Sequence, residues 1–269
     1  MLIDTHCHLN LLTNKEFDAP LPENFKETLT PIIQAAADKN VQTIINVGTN
    51  VIESFNCIKI AQTFDTCFAS VGIHPTDTNV MKKNDSEKIA AFLDHKRENK
   101  IVAIGEVGLD YYHEHDKKKQ RTIFEFHIKL ALEHHLPLII HTRNAKDEVL
   151  TILDHFKCSD LTGVIHCFSE DVKFAQKALD LKFLLGIGGT LTYPKNEQLR
   201  DIFSSIDLEH IVLETDAPFL PPQTIRGKQN TPEQINTIAH FLADLRKISY
   251  DLIAEQTTDN AKRLFKTYR

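Results

Sequence analysis

The stretch Leu2-Ile3-Asp4-Thr5-His6-Cys7-His8-Leu9 opens the chain with an apolar run that ends in two histidines. Residues two apart on a β-strand point to the same face, so we expect His6 and His8 to converge. Seven similar runs follow it along the chain: Thr43–Gly48, Cys67–His74, Ile101–Asp110, Pro137–Thr142, Thr162–Phe168, Phe183–Gly189 and Ile211–Asp216. Their length and their Val, Ile and Leu content are typical of strands that are buried on both faces.

Between these runs lie charged segments whose apolar residues recur three and four apart, as in residues 25–36, which is the spacing of an amphipathic helix. The stretch Thr231-Pro232-Glu233-Gln234 reads as the capped start of a helix. Strand and helix therefore alternate eight times, which predicts an α/β fold of the (β/α)8 TIM-barrel type. A doubly wound open sheet is the alternative, but its usual early GxGxxG fingerprint is absent.

Length and composition limit the classes of protein that remain. A chain of 269 residues suits one such barrel, so we expect a single domain over residues 1–269. The net charge of −6 argues against a long basic groove that binds many phosphates of a nucleic acid. It does not exclude a deep site that binds one or two phosphates through a metal. No apolar run is long enough to span a membrane, and because polar residues stand among the first six, we do not expect a signal peptide there. The odd number of scattered cysteines favours reduced thiols in the cytoplasm: Cys7, Cys57, Cys67, Cys158 and Cys167.

Polar residues with metal-binding chemistry occupy the ends of six of the runs. In a TIM barrel the carboxyl ends of the strands carry the reactive groups. Unpaired charges inside an apolar barrel each cost several kcal/mol, so these groups must neutralise one another or a bound cation. Carboxylates and neutral imidazoles are the usual ligands of divalent transition metals, and a metal-free network of hydrogen-bonded histidines and carboxylates is the alternative. The residues are His6, His8, His74, Glu106, His141, His166, Glu214 and Asp216.

Taken together, these motifs resemble the TatD family of metal-dependent deoxyribonucleases. The motifs are His6-Cys7-His8, Gly72-Ile73-His74-Pro75, Gly105-Glu106-Val107-Gly108-Leu109-Asp110-Tyr111, His141, His166-Cys167-Phe168 and Glu214-Thr215-Asp216-Ala217-Pro218. The resemblance extends from residue 2 to roughly residue 260, which is nearly the whole chain. It implies a TIM barrel of the metal-dependent hydrolase type, with a two-metal site and nuclease activity on DNA ends, commonly in the 3′→5′ direction.

The resemblance also implies a division of the ligands between two divalent metal ions. His6 and His8 would bind one ion, and Asp216 would complete its shell while facing the attacking water. Glu106 would bridge the two ions, and His141 and His166 would bind the second ion. Because the set is rich in histidine, we expect Zn, Ni or Fe to co-purify, with Mg or Mn supporting turnover.

Five further residues are candidates for supporting roles. His74 either bonds a substrate phosphate or protonates the leaving oxygen, unless it only caps its strand end before Pro75. Arg143 is placed to hold a phosphate in a bidentate manner, or else to pair with a loop carboxylate. Glu214 is expected to orient a ligand imidazole. Tyr111 would stack on a base or wall a pocket, and Arg226 would meet the nucleic-acid backbone or lie in a solvated loop.

The sequence therefore predicts a monomeric, metal-dependent deoxyribonuclease. It would act as a 3′–5′ exonuclease on single-stranded DNA or frayed ends, by means of a metal-activated water. The alternative is a hydrolase of a phosphotriester, lactone, amide or aminoacyl ester, because one scaffold hosts all of these reactions. A metal-binding protein without catalytic activity is disfavoured, since none of the six ligand positions is vacant.

Overall fold

The computed structural model describes residues 1–14 and 16–266. Its strands form one eight-stranded sheet in which each strand pairs in parallel with the next strand along the chain. The strands are β1 (Leu2–Cys7), β2 (Val41–Val47), β3 (Cys67–Val71), β4 (Ile101–Asp110), β5 (Leu138–Arg143), β6 (Gly163–Ile165), β7 (Phe183–Ile187) and β8 (Ile211–Leu213). This order confirms the predicted (β/α)8 barrel.

Every connection between neighbouring strands contains at least one helix, as parallel pairing requires. The helices are α1 (Leu11–Asn14), α2 (Phe25–Asp38), α3 (Val51–Thr63), α4 (Asp85–Phe92), α5 (Lys117–His134), α6 (Lys146–His155), α7 (Val172–Asp180), α8 (Glu197–Ser205), α9 (Ile235–Arg246) and α10 (Tyr250–Phe265). Short 3-10 turns cover Pro75–Asn79, Leu93–His95, Gly189–Thr192, Leu208–His210, Gln223–Ile225 and Pro232–Gln234. Within the described residues, no helix has both the length and the apolar composition needed to cross a bilayer.

The apolar core has two layers. One cluster draws residues from all eight strands, so it fills the barrel interior: Ile3, Ile45, Val47, Phe68, Val102, Ala103, Ile139, Val164, Leu184 and Val212. Ala261, Leu264 and Phe265 of α10 join this cluster, and they close the end of the barrel at which the strands begin. A larger cluster packs the outer face of the sheet against the surrounding helices. The carboxyl ends of the strands are thereby left for polar groups.

The barrel closes between β8 and β1 through the residues that follow β8. The backbone N–H of Asp216 donates to the carbonyl of His6 at 2.8 Å, and that of His8 donates to the carbonyl of Ala217 at 2.7 Å. The buried carboxylate of Asp4 accepts hydrogen bonds from the backbone N–H of Thr215 at 2.9 Å and from its hydroxyl at 2.6 Å. Closing the barrel therefore also brings Asp216 to the histidines that follow β1.

Several strands end before the apolar runs that predict them, and the difference affects the site in β6 and β8. β6 ends at Ile165 and β8 ends at Leu213, whereas the runs continue to Phe168 and Asp216. The φ angles of Cys167 and Asp216 are 45° and 56°, a left-handed conformation that cannot continue a strand. Strand alternation was therefore the wrong argument for the convergence of Glu214 and Asp216, because both residues lie beyond β8.

The helix expected at residue 231 differs in its first turn. A 3-10 turn, Pro232–Gln234, precedes α9, and the side chain of Thr231 makes no capping hydrogen bond to a backbone N–H. Instead, the Thr231 hydroxyl lies 3.2 Å from a carboxylate oxygen of Glu233. The proline at the first position is retained, but the reciprocal capping box is not formed.

His127 gives the fold a testable pH dependence. It is fully buried in α5, where Nδ1–H donates to the carbonyl of Ile123 at 2.7 Å, and burial lowers its pKa from 6.5 to about 4. The unfolded chain therefore binds a proton more readily, and stability is lost as the pH falls from 6.5 towards 4. Between about pH 7.5 and about pH 5 this group should remove about 2 kcal/mol of unfolding free energy.

In His127→Leu that part of the pH dependence should disappear, whatever the change in absolute stability. Urea unfolding of both proteins at a series of pH values measures the difference, because other titrating groups are common to the two. His95 in a 3-10 turn is exposed, so His95→Gln is the matched control. Parallel pH profiles for His127→Leu and the native chain would contradict the assignment.

Candidate metal centre

Glu106 lies at the centre of the carboxyl end of the barrel. It belongs to β4, its side chain is buried, and its carboxylate is close to a ring nitrogen of each of five histidines. The shortest distances are 3.4 Å to His6, 3.9 Å to His8, 3.3 Å to His74, 3.0 Å to His141 and 3.8 Å to His166. These histidines come from four other strand ends, and the barrel brings all of them to one carboxylate.

His6, His8 and Asp216 form the first ligand group. Their ligand atoms all lie within 4.8 Å of one another. Nε2 of His8 lies 3.2 Å from Nε2 of His6 and 3.4 Å from Oδ1 of Asp216. Nδ1 of His8 is 2.9 Å from the carbonyl of Val47, which can only accept, so Nδ1 carries the proton. The lone pair of Nε2 in the neutral ring therefore points at the carboxylate of Asp216.

His166 is oriented in the same way from the other side of Glu106. Its Nδ1 lies 3.1 Å from Oε1 of Glu214 in a bent contact, and its Nε2 faces Glu106. The Glu214 carboxylate fits there because Gly186 has no side chain: a Cβ at that position would lie 2.3 Å from Oε2. Glu214 thus holds the far nitrogen of His166, which is how carboxylates orient metal-binding imidazoles. Glu214 thus lies beside the imidazole of His166, and its role in orienting a ligand stays a prediction.

His141 lies between two carboxylates. Its Nδ1 is 3.0 Å from Oε1 of Glu106, and its Nε2 is 3.4 Å from Oδ2 of Asp110. Asp110 was not among the predicted site residues, although it is four residues after Glu106 on the same strand and therefore on the same face. Its carboxylate orients His141 as Glu214 orients His166.

His74 presents the opposite end of its ring to the site. Its Nδ1 accepts a hydrogen bond from the backbone N–H of Thr76 at 3.2 Å, and the Thr76 hydroxyl lies 2.6 Å away. An N–H can only donate, so in the neutral ring the proton of His74 is on Nε2, 3.3 Å from Oε1 of Glu106. His8 and His166 therefore direct lone pairs into the centre, whereas His74 directs an N–H.

The charges of the centre depend strongly on one another. Burial raises the pKa of Glu106, but His74, His141, His166 and His6 outweigh this effect and hold the pKa well below its ordinary value. Burial lowers the pKa of His166, yet Glu214 and Glu106 raise it to about 10. The Glu106 carboxylate is therefore ionised, and the centre favours positive charge.

The donor set fits divalent cations. Burial lowers the pKa of His8 and of His166, but the carboxylates that face them raise it overall, so protons hold these two rings until a cation replaces them. Protons cannot charge every ring, because His6 and His166 stack with centroids 3.5 Å apart, and burial together with His166 lowers the pKa of His6. Imidazole nitrogens and carboxylate oxygens in this number suit Zn, Ni, Fe or Mn. The buried Nδ1 of His6 has no partner within the described residues.

A cavity of about 490 Å³ opens above these ligands, and its wall includes His8, His74, Glu106, His141, His166 and Asp216. Arg143 also lines it, with its guanidinium 3.8 Å from the ring centroid of Tyr112. Tyr111 and Arg226 do not line this cavity. The hydroxyl of Tyr111 donates to Glu148 at 2.6 Å, and the guanidinium of Arg226 lies 4.4 Å from the ring centroid of Tyr193.

A parallel eight-stranded barrel with histidines and carboxylates gathered at its carboxyl end defines the class of metal-dependent hydrolase barrels. The sequence profile of one family, described as TatD related DNase, matches residues 3–266. The chain belongs to the TatD family, and it is a metal-dependent hydrolase of that family.

Relatives along the whole chain agree with this assignment. YabD of Bacillus subtilis (strain 168), described as a metal-dependent hydrolase, is 34% identical over 267 residues, which is 99% of both chains. YcfH of Escherichia coli (strain K12), described in the same words, is 35% identical over 266 residues, which is 98% of this chain and 95% of the relative. The crystal structure of YjjV, a TatD homologue from Escherichia coli K12, matches with a TM-score of 0.89 at 29% identity, covering 99% of this chain and 98% of YjjV.

Glu214→Gln should weaken metal binding, because an amide holds the proton of His166 Nδ1 less strongly than a carboxylate does. We expect affinity to fall by about 10–100-fold, measured by chelator competition followed by elemental analysis. Gly186→Ala should act in the same direction, since its Cβ would displace the end of the Glu214 side chain. Glu255→Gln changes an exposed carboxylate outside every candidate ligand group and is the control. Native affinity in both test variants would show that Glu214 does not support the ligand.

Proposed function

We propose that this protein is a deoxyribonuclease that removes nucleotides from the 3′ end of single-stranded DNA or frayed ends. The observation that carries the proposal is a cluster of overlapping ligand groups, two of which share Glu106, beneath a cavity lined by Arg143. Two cations held side by side suit an in-line phosphoryl displacement, and an arginine beside them suits the phosphate. The DNase description of the family supports the same class of substrate.

We assign the ligands to two sets around Glu106. His6, His8 and Asp216 would hold one cation, and His141 and His166 the other, with Glu106 between them. When bound, the cations would polarise the phosphodiester and lower the pKa of the attacking water. Asp216 would accept the proton of that water, because its carboxylate is ionised and faces the cavity: burial raises its pKa, but His8, His166 and His6 hold it below its ordinary value.

His74 would supply the proton to the leaving oxygen. Its tautomer places N–H on Nε2, the nitrogen that faces the centre, while Thr76 fixes Nδ1. The ring lines the same cavity as Arg143. A donor in this position either bonds a phosphate oxygen or protonates the oxygen of the shortened strand as the bond breaks.

Arg143 would hold a phosphate oxygen of the substrate. Its guanidinium lies over Tyr112 within cation–π range, so the ring limits the orientations that this exposed side chain adopts. A planar guanidinium held in this manner loses less freedom when it binds a phosphate in a bidentate way. In the phosphotriester, lactone, amide and aminoacyl ester alternatives the group that is hydrolysed carries no negative charge for Arg143, which is why we favour the phosphodiester.

The remaining expectations belong to the same proposal. The imidazole-rich set suits co-purified Zn, Ni or Fe, with Mg or Mn supporting turnover. All five cysteines are free thiols, which supports a reducing compartment such as the cytoplasm. We propose that the working form is a monomer, because the ligands described above all come from one chain.

The direct test is a time course on 5′-labelled single-stranded DNA, resolved on a denaturing gel with Mg or Mn and with chelator. We expect a ladder that shortens from the 3′ end, is lost with chelator, and is lost in His141→Ala run beside it. Activity should also decline below about pH 6, because protonated imidazoles no longer bind metal. A metal-loaded protein that leaves the DNA intact would instead support an uncharged ester, lactone or amide substrate.

His74→Gln separates proton donation from metal binding. We expect kcat on DNA to fall by about 10²–10⁴-fold with metal content unchanged, because the leaving oxygen loses its proton donor. A p-nitrophenyl diester has a leaving group that needs no protonation, so its hydrolysis should fall far less. Equal losses on the two substrates would contradict the assigned role, and loss of metal would show that His74 is a ligand.

A further inference from the structure

Two exposed phenyl rings stand at the mouth of the cavity. Phe17 is 62% exposed and Phe219 is 40% exposed, and both line the cavity that contains the ligands. Their ring planes lie within 8° of parallel, with centroids 6.3 Å apart. Single exposed apolar residues are ordinary, but two parallel aromatic rings beside a polar cavity form a surface that a flat apolar group would cover.

The backbone fixes Phe219 to the metal centre. Its N–H donates to the carbonyl of Asp216 at 2.8 Å, and its carbonyl accepts from the side chain of buried Asn230 at 2.7 Å. Asn230 also donates to the carbonyl of Thr215 at 2.9 Å. The Phe219 ring meets the ring of His8 edge-on, with centroids 6.0 Å apart. The Phe219 ring therefore lies directly beside a predicted metal ligand.

The loop that carries Phe17 is tied to α3. The N–H of Asp18 donates to Oε1 of Glu53 at 2.7 Å, and the Asp18 carboxylate accepts from the side chain of Asn50. The side chain of Asn56 donates to the carbonyl of Ala19 at 2.8 Å. Because these bonds hold the residues that follow Phe17, the exposed ring is presented by a fixed backbone.

We propose that Phe17 and Phe219 form a stacking surface for the base next to the scissile phosphate, and that this surface selects unpaired DNA ends. The inference rests on the proposed nuclease function. Every base has an apolar face, so phenyl rings hold any base without reading sequence. A base within a duplex is covered by its neighbours on both sides, and it must leave the stack before it can reach these rings.

The position of Arg143 agrees with this arrangement. Phe17 follows β1 and Phe219 follows β8, which are adjacent in the closed barrel, whereas Arg143 ends β5 on the far side. A nucleotide lying across the mouth would thus have its base on the two phenyl rings and its phosphate between them and Arg143. The sequence suggested Tyr111 as a stacking residue, but the Tyr111 ring lies outside the cavity. In this proposal Phe17 and Phe219 stack on the base instead.

The test compares Phe17→Ala, Phe219→Ala and Phe219→Leu with a matched control. Phe55 is 46% exposed and also stacks on a second phenylalanine, Phe92, with centroids 6.3 Å apart, yet it does not line the cavity. Phe55→Ala therefore removes an equivalent ring elsewhere. The substrates are a single-stranded oligonucleotide and bis(p-nitrophenyl) phosphate, a diester without a base. A third measurement follows 2-aminopurine fluorescence at the 3′ end of an oligonucleotide whose last linkage is a phosphorothioate, titrated onto the metal-loaded protein.

We expect each alanine variant to raise KM for the oligonucleotide by about tenfold, with a smaller effect on kcat. The ratio of kcat/KM between the oligonucleotide and the base-free diester should fall accordingly. Stacking quenches 2-aminopurine, and this quenching should be lost in both alanine variants and partly in Phe219→Leu. Phe55→Ala should match the native protein in all three measurements.

The outcomes separate this inference from the nuclease proposal. Oligonucleotide cleavage with native KM in both alanine variants overturns the stacking surface and leaves the nuclease standing. Equal losses on the oligonucleotide and the base-free diester also overturn it, since the rings would then act on the centre itself. If the native protein quenches 2-aminopurine but does not cleave the DNA, and the alanine variants lose the quenching, the stacking surface is supported and the nuclease proposal is overturned. If the native protein shows no cleavage and no quenching, both proposals are overturned.

Discussion

A buried carboxylate in contact with five imidazoles is the constraint on which the rest of this molecule depends. Glu106 can stay ionised inside the barrel only because His6, His8, His74, His141 and His166 surround it. Each of those rings must in turn be held by its own strand end, so the site requires a closed barrel. The closure between β1 and β8 runs through Asp4, Thr215 and Asp216. Fold and site are therefore stabilised by the same bonds.

Each histidine has one ring nitrogen that faces Glu106 and one that faces away. The contact made by the nitrogen that faces away decides whether the other nitrogen presents a lone pair or an N–H. The carbonyl of Val47 and the carboxylate of Glu214 take the outer proton of His8 and His166, which frees the inner nitrogen to bind a cation. Thr76 does the reverse at His74 and leaves an N–H facing inward. Three imidazoles within 3.9 Å of Glu106 would thus become ligands or a donor, according to the group that contacts their outer nitrogen.

The substrate side of the site is organised in layers. Ionised carboxylates and imidazoles lie deepest, Arg143 lines the cavity above them, and the parallel rings of Phe17 and Phe219 stand at the mouth. This order matches the order of groups in a nucleotide end, from the phosphate at the metals to the base outside. It would also explain how a chain with a net charge of −6 could act on DNA, as we propose, since charge attraction would be confined to a small cavity.

The sequence by itself determined the barrel and the set of ligand candidates, because strand periodicity and strand-end position follow from local spacing. The sequence also predicted that Glu214 lies at the site, because it stands two residues before Asp216. Only the tertiary structure decided the tautomer of neutral His74, the position of Asp110 beside His141, and the presence of Phe17 and Phe219, and not Tyr111, at the cavity mouth. Each of these depends on what stands beside a residue in space. Left-handed backbone at Cys167 and Asp216 likewise ended two strands before their apolar runs ended, and no pattern of hydrophobicity records a φ angle.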